Sequence, residues 1–176
     1  IGTVELSLRD QILKRALDIV GGLIGCILSI PIIAITAIPL KLESPGPLVF
    51  KQRRVGRNGR VFYIHKLRSM YIDAEERKKE LMAQNEMNGL MFKMQDDPRI
   101  TKVGKFIRKT SIDELPQFFD VVRGDMSIVG PRPPLTYHPW PVDQYTTEQF
   151  HMFDVRPGIT GWAQVHGRKG VEWHER

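Results

Sequence analysis

Cysteine is nearly absent: Cys26 is the single one in 176 residues. That excludes an internal disulfide and a thiolate-cluster metal site, and it fits a reducing compartment. Acids are the next shortage, 20 against 26 Lys and Arg, for a net charge of +6. Such a balance points to an anionic partner: nucleic acid, anionic lipid or a phosphorylated small molecule. The shortage is sharpest over residues 51–68, which hold seven Lys or Arg and no acid. Charge of either sign is missing from the 22 residues 19–40, IVGGLIGCILSIPIIAITAIPL, and about 20 apolar residues are what a membrane span requires. At about 100–200 residues per domain the length predicts one sizeable core. Because the numbering begins at Ile1 rather than Met, the chain reads as a piece of a longer one.

The apolar run exceeds the ~7–15-residue h-region of a signal peptide and ends without an A-x-A-like site. Ser29-Ile30-Pro31 falls at its middle. Proline removes a backbone N–H and clashes with the preceding turn, so a helix over about residues 14–41 is expected to kink there. Arg9, Lys14 and Arg15 precede the run, and Lys41, Lys51, Arg53, Arg54, Arg57 and Arg60 follow it. A through-span carries its positive excess mainly on one side. The expectation is therefore a re-entrant, monotopic helix that dips into one leaflet, with the Ser29 hydroxyl satisfying a carbonyl released at the kink. A through-span and a buried core helix are the alternatives.

Ser44-Pro45-Gly46-Pro47 cannot continue a helix, which divides an N-terminal segment, residues 1–43, from a domain over residues 44–176. LVFKQRRV and RVFYIHKLRSM read as short strands joined by Gly56-Arg57-Asn58-Gly59 in a hairpin. Lys66 and Arg68 flank an apolar residue on one strand, so they share a face and are expected to contact phosphate. The hairpin arginines suit a solvated edge or an anionic-lipid contact as well as they suit phosphate. Residues 73–86, DAEERKKELMAQNE, read as an exposed helix of mixed charge. After Pro98 come Arg99, Lys102, Lys105, Arg108 and Lys109 with no acid among them; Lys102, Lys105 and Lys109 suit one helical face. A nucleic-acid binder would interleave aromatics with such cations, but the hairpin offers only Phe62 and Tyr63, which read as core.

Asp113 and Glu114 stand side by side in RKTSIDELPQFFD. Ser111-Ile112-Asp113-Glu114 fits a capping box, but a helix capped at Ser111 would need the N–H that Pro116 lacks; with Asp113 as cap, Pro116 falls in the tolerated first turn. The helix would then run to Gly124, a good C′ residue. Two carboxylates at the positive end of a helix repel unless a divalent cation bridges them, and Mg²⁺ held by one or two carboxylates plus substrate phosphates is the usual solution. A carboxylate beside Mg²⁺ and arginines can act as a nucleophile towards phosphorus. GDMSIVGPRPP and VRPGITGWAQVHGR add Arg132, Arg156, Thr160 and Gln164 in loops rich in glycine and proline.

Taken in order, the S-I-P apolar segment, FKQRRVG, HKLRSM, KFIRKTSIDELPQ, GDMSIVGPRP and RPGITGWAQV closely resemble the bacterial sugar transferases, the monotopic polyprenyl-phosphate phosphoglycosyl transferases. The resemblance covers residues 14–168. It implies an α+β fold, with a re-entrant membrane helix and a small cytoplasmic catalytic domain of short helices and a β-hairpin. It implies transfer of a sugar 1-phosphate from a UDP-sugar to undecaprenyl phosphate at the cytoplasmic face of the bacterial inner membrane. By the same resemblance, the product initiates exopolysaccharide, capsule, O-antigen or related glycan synthesis. It further implies Asp113 as the nucleophile and a Mg²⁺ ligand, Glu114 as its partner, Arg108 and Arg132 as phosphate-binding groups, Ser29 and Pro31 as the kink, Mg²⁺ as cofactor, and a homodimer. The family normally continues past the region of Trp173 with an apolar-aromatic stretch bearing a Tyr-Asp pair, so the catalytic domain is expected to be C-terminally incomplete. A non-catalytic scaffold anchoring a polysaccharide assembly is the alternative reading.

Overall fold

The computed structural model describes residues 7–81, 97–137, 141–161 and 165. Helices and short strands mix, as expected. A long helix α1 (Leu8–Glu43) leads into strands β1 (Val49–Val55) and β2 (Val61–Leu67), followed by α2 (Ala74–Leu81), α3 (Lys102–Lys109), α4 (Gln117–Arg123), β3 (Ser127–Val129), α5 (Thr147–Phe150) and β4 (Gly158–Thr160). β1 pairs with β2 and β3 with β4, as separate two-stranded sheets. The chain forms two compact units: Ile1–Ile27 with Gln52–Ile64 and Gln117–Arg176, and Leu28–Lys51 with His65–Pro116.

α1 is longer than the apolar run alone predicts. The Ser7 hydroxyl accepts the Asp10 N–H, which satisfies an orphan donor and lets the helix start ahead of the charge-free stretch. The run stays helical on both sides of Pro31 and also contains Pro39. Ser29 is buried, but Leu23, Ile27, Leu28, Ile35 and Ile38 expose their side chains. α1 is long and apolar enough to cross a membrane.

In the first unit, the opening turns of α1 meet α4 and β3. A Cβ on Gly25 would lie 2.2 Å from the Phe118 ring, so only glycine permits that approach. Arg15 donates to the carbonyls of Val121 and Val122 at 2.7 and 2.8 Å, where a helix C-terminus leaves acceptors and negative potential. Asp18, on the same helix, is buried and accepts from Lys14, the Ser127 hydroxyl and the Ile128 N–H. β3 and β4 run parallel, with Ser127 opposite Gly158 and Val129 opposite Thr160. Ile64, Val121 and Met126 form the core. α4 is followed by Gly124, whose φ of +99° is a conformation glycine adopts without strain.

In the second unit, Leu40, Leu67 and Ile107 form the core, with Ile33, Leu48, Val103 and Ile112 against it. α3 buries Gly104 and Ile107 and exposes Lys102, Lys105 and Lys109, the face their spacing predicts. Two acceptors hold its first turn. The Thr101 hydroxyl takes the Gly104 N–H at 2.8 Å, and the Glu43 carboxylate takes those of Lys102 and Val103 at 2.6 and 2.9 Å. The hairpin turn forms as read, with Asn58 and Gly59 at positive φ. Of the helix expected over residues 73–86, the part beyond Leu81 lies outside the described residues. Glu43→Ala is expected to cost about 1 kcal/mol by leaving orphan donors at the α3 N-terminus, read as a lower midpoint in thermal unfolding; an unchanged midpoint would contradict the capping role.

Candidate functional site

α3 ends in an abrupt turn. Thr110 returns its hydroxyl to the Phe106 carbonyl at 2.9 Å, and Ser111 takes a left-handed conformation, φ 59°. Ser111 makes no side-chain cap; only its carbonyl is used, by the Glu114 N–H. No capping box forms. Asp113 and Glu114 sit on a single 3₁₀ turn, Ile112–Glu114, and not in the first turn of α4, which begins at Gln117. This corrects the expectation that α4 holds them at its positive end. Pro116 has no N–H to give, so regular helix starts after it.

Asp113 is buried, 9% exposed. Lys66, on the strand face opposite the core residue Leu67, reaches the Glu114 carboxylate at 2.9 Å. Arg108, in the last turn of α3, donates its Nε hydrogen to the Ser69 hydroxyl at 2.7 Å. Burial pushes the Asp113 carboxyl above the usual aspartate range; the Lys66 charge opposes this, Glu114 adds to it and Arg108 opposes it again. Burial likewise pulls the Arg108 guanidinium down, against the attraction of Asp113 and Asp97. Asp97 sits in a buried fork with Arg99, whose Nη2 lies 2.6 Å from its Oδ2. Burial would raise Asp97, but the Arg99 hydrogen bonds outweigh it and hold the carboxyl below its ordinary value.

The expected site residues divide. Asp113, Glu114, Lys66 and Arg108 come together in the second unit. Arg68, in the same unit, turns its guanidinium to the carbonyls of Ser44 and Pro45 and so ties down the turn after α1. Arg132, Arg156 and Thr160 belong to the first unit. Arg132 lines a cleft with Val55, Gly56, Pro133 and Phe153. Arg156 donates to the Gly124 carbonyl at 2.9 Å; burial, then Arg15 and Arg57, lower its guanidinium while Asp18 raises it. Thr160 ends β4, Ser29 and Pro31 lie within α1, and Gln164 lies outside the described residues.

Sequence reading missed Ser69, Glu43 and Asp18. Arg99, which opens a run of cations with no acid among them, is held by Asp97 on the other side of Pro98; the Asp-Pro-Arg spacing is the available signal, since proline between an acid and a base two residues apart favours a tight return. Among the described residues no group of three or more His, Cys, Asp or Glu is placed to hold a metal ion.

The family model described as bacterial sugar transferase matches residues 9–176. The chain belongs to that family. Over 160 residues it is 53% identical to the galactosyl transferase CpsE of Streptococcus agalactiae serotype III (strain NEM316), covering 91% of this chain and 35% of that protein. It is 47% identical to a UDP-N-acetylgalactosamine-undecaprenyl-phosphate N-acetylgalactosaminephosphotransferase of Aeromonas hydrophila, covering 88% of this chain and 34% of the relative. It is 42% identical to the UDP-glucose:undecaprenyl-phosphate glucose-1-phosphate transferase of Escherichia coli (strain K12), covering 94% of this chain and 33% of the relative. The chain thus spans about a third of the length of these curated relatives.

The charges around Asp113 carry signs that can be tested in this chain. Lys66→Met removes a charge that lowers the Asp113 carboxyl and is expected to raise it further; Glu114→Gln removes one that raises it and is expected to lower it. A carbon-13 NMR titration of the Asp113 carboxyl checks both directions, and opposite movements would overturn the arrangement.

Proposed function

We propose that this chain is the catalytic portion of a membrane enzyme that transfers a sugar 1-phosphate from a UDP-sugar to undecaprenyl phosphate through a covalent ester on Asp113. The observation that carries the reading is the buried Asp113 carboxylate, flanked by Glu114 and within the field of Lys66 and Arg108. The names of the relatives supply the substrate class: each of two reads as a transfer from a UDP-sugar to undecaprenyl phosphate.

In the first half-reaction a carboxylate oxygen of Asp113 attacks the phosphorus bonded to the sugar. The bond from that phosphorus to the bridging oxygen breaks, and uridine monophosphate leaves with the electron pair. In the second, a phosphate oxygen of the lipid attacks the same phosphorus and Asp113 returns as a free carboxylate. Donor and acceptor therefore need not meet in the site. Arg108 spreads the charge of the transferring phosphoryl group, where most of the catalysis of such reactions lies. Lys66 holds Glu114 beside the nucleophile.

Mg²⁺ suits this donor set. It takes one or two carboxylates and completes its shell with water and substrate phosphate, and the repulsion between Glu114 and Asp113 is what a divalent ion relieves. Asp113 would hold it, with Glu114 adjacent, and it would supply charge neutralisation on the diphosphate.

The exposed apolar side chains of α1 support membrane insertion. With cations on both sides of the run, we place α1 as a re-entrant helix in the bacterial inner membrane, with the domain from residue 44 onwards at the cytoplasmic face. The pathway served is the initiation of capsule, exopolysaccharide or O-antigen synthesis.

Intact mass of the full-length protein, incubated with Mg²⁺ and a panel of UDP-sugars without acceptor, tests the mechanism. A sugar-phosphate adduct is expected. It should vanish on chelation and in Asp113→Asn, discharge with undecaprenyl phosphate, and accompany a loss of turnover of at least about 10³-fold in that variant. Turnover without an adduct would replace the covalent route by direct transfer. Unchanged polysaccharide in cells carrying Asp113→Ala would favour a scaffold.

A further inference from the structure

Arg108 is drawn by two anions, Asp113 and Asp97, and a guanidinium can meet an oxyanion either by its Nε edge or by its two terminal amino groups. Which edge it presents is set by whatever takes the Nε hydrogen. Here that is the Ser69 hydroxyl, at 2.7 Å.

Ser69 is a fixed acceptor. It is 6% exposed, and its carbonyl accepts the Thr101 N–H at 3.1 Å. Gly104 packs so tightly on that carbonyl that a Cβ there would lie 2.0 Å from the oxygen. The next residue, Met70, bridges to Ile100. Ser69 is thus fastened to the start of α3, and Arg108 stands one turn beyond Gly104 on the same helix.

We infer that Ser69 is a positioning residue for the transfer reaction: by engaging Nε it turns the terminal amino edge of Arg108 towards the phosphoryl group brought to Asp113. This rests on the proposed role of Asp113 and Arg108. The terminal edge offers a bidentate grip on two phosphoryl oxygens. Without the serine, Arg108 regains rotamer freedom and can satisfy Asp97 or solvent instead.

The test is a set of variants in the full-length membrane enzyme: Ser69→Ala, Ser69→Thr, Arg108→Lys, and Ser69→Ala combined with Arg108→Lys. Ser69→Ala is expected to slow adduct formation at saturating UDP-sugar by about 10- to 100-fold, the size of one charge-assisted hydrogen bond, with little change in KM. Ser69→Thr keeps the hydroxyl and should remain within about threefold of the parent rate. Lysine has no Nε hydrogen in that place, so Ser69→Ala should cost nothing further in the Arg108→Lys background. Equal losses in both backgrounds, or an unaffected Ser69→Ala enzyme, would overturn the inference. If Ser69→Ala does not fold, Ser69→Cys makes the same comparison with a weak acceptor. If the parent enzyme turns over without an adduct, the covalent reading fails, while steady-state transfer to undecaprenyl phosphate still decides whether Ser69 acts through Arg108.

Discussion

The contact between the last turn of α1 and α3 is the constraint on which the dyad depends. Leu40 packs with Ile107, and Glu43 takes the N–H groups of Lys102 and Val103. One contact is apolar and the other satisfies donors that a helix cannot satisfy itself. Together they fix α3 to the end of the apolar helix, and three residues after α3 ends the chain enters the turn that carries Asp113 and Glu114. Arg68 adds a third tie, holding the carbonyls of Ser44 and Pro45 between helix and hairpin. The turn that carries the dyad is thereby tied to the end of the long apolar helix.

Within that frame the site's charges are committed before any substrate arrives. Lys66 is paired with Glu114 and Arg108 is oriented by Ser69. Asp113 therefore feels both cations as fields, and burial still pushes its carboxyl upward. In the proposed reaction an anionic diphosphate would meet dipoles and charges already in place, which is how electrostatic catalysis avoids reorganisation at the moment of reaction. The buried Asp97–Arg99 fork contributes no spare charge. It closes the turn ahead of α3 and adds a remote attraction on Arg108.

Much of this was legible locally. Residues 19–40 announce α1 by lack of charge, Gly56-Arg57-Asn58-Gly59 announces the hairpin turn, and the lysine spacing of α3 gives its exposed face. The order of motifs placed the chain in its family. Other features were not legible. Arg68 looked like a phosphate ligand beside Lys66, yet the two side chains reach different partners, a pair of carbonyls and a carboxylate. Nothing near Ser69 in sequence marks it as the acceptor for a guanidinium 39 residues away.

The sequence by itself determined what neighbouring residues decide among themselves: helix periods, turn chemistry, the apolar run and the presence of a carboxylate dyad before a proline. Only the tertiary structure decided which groups face one another. The parallel pairing of Ser127–Val129 with Gly158–Thr160, the burial of Asp18 against Ser127, and the grip of Glu43 on α3 all join segments far apart in the chain. Such contacts depend on loop closure and on the desolvation of each polar group against its eventual partner, and neither quantity is written in any short stretch of residues.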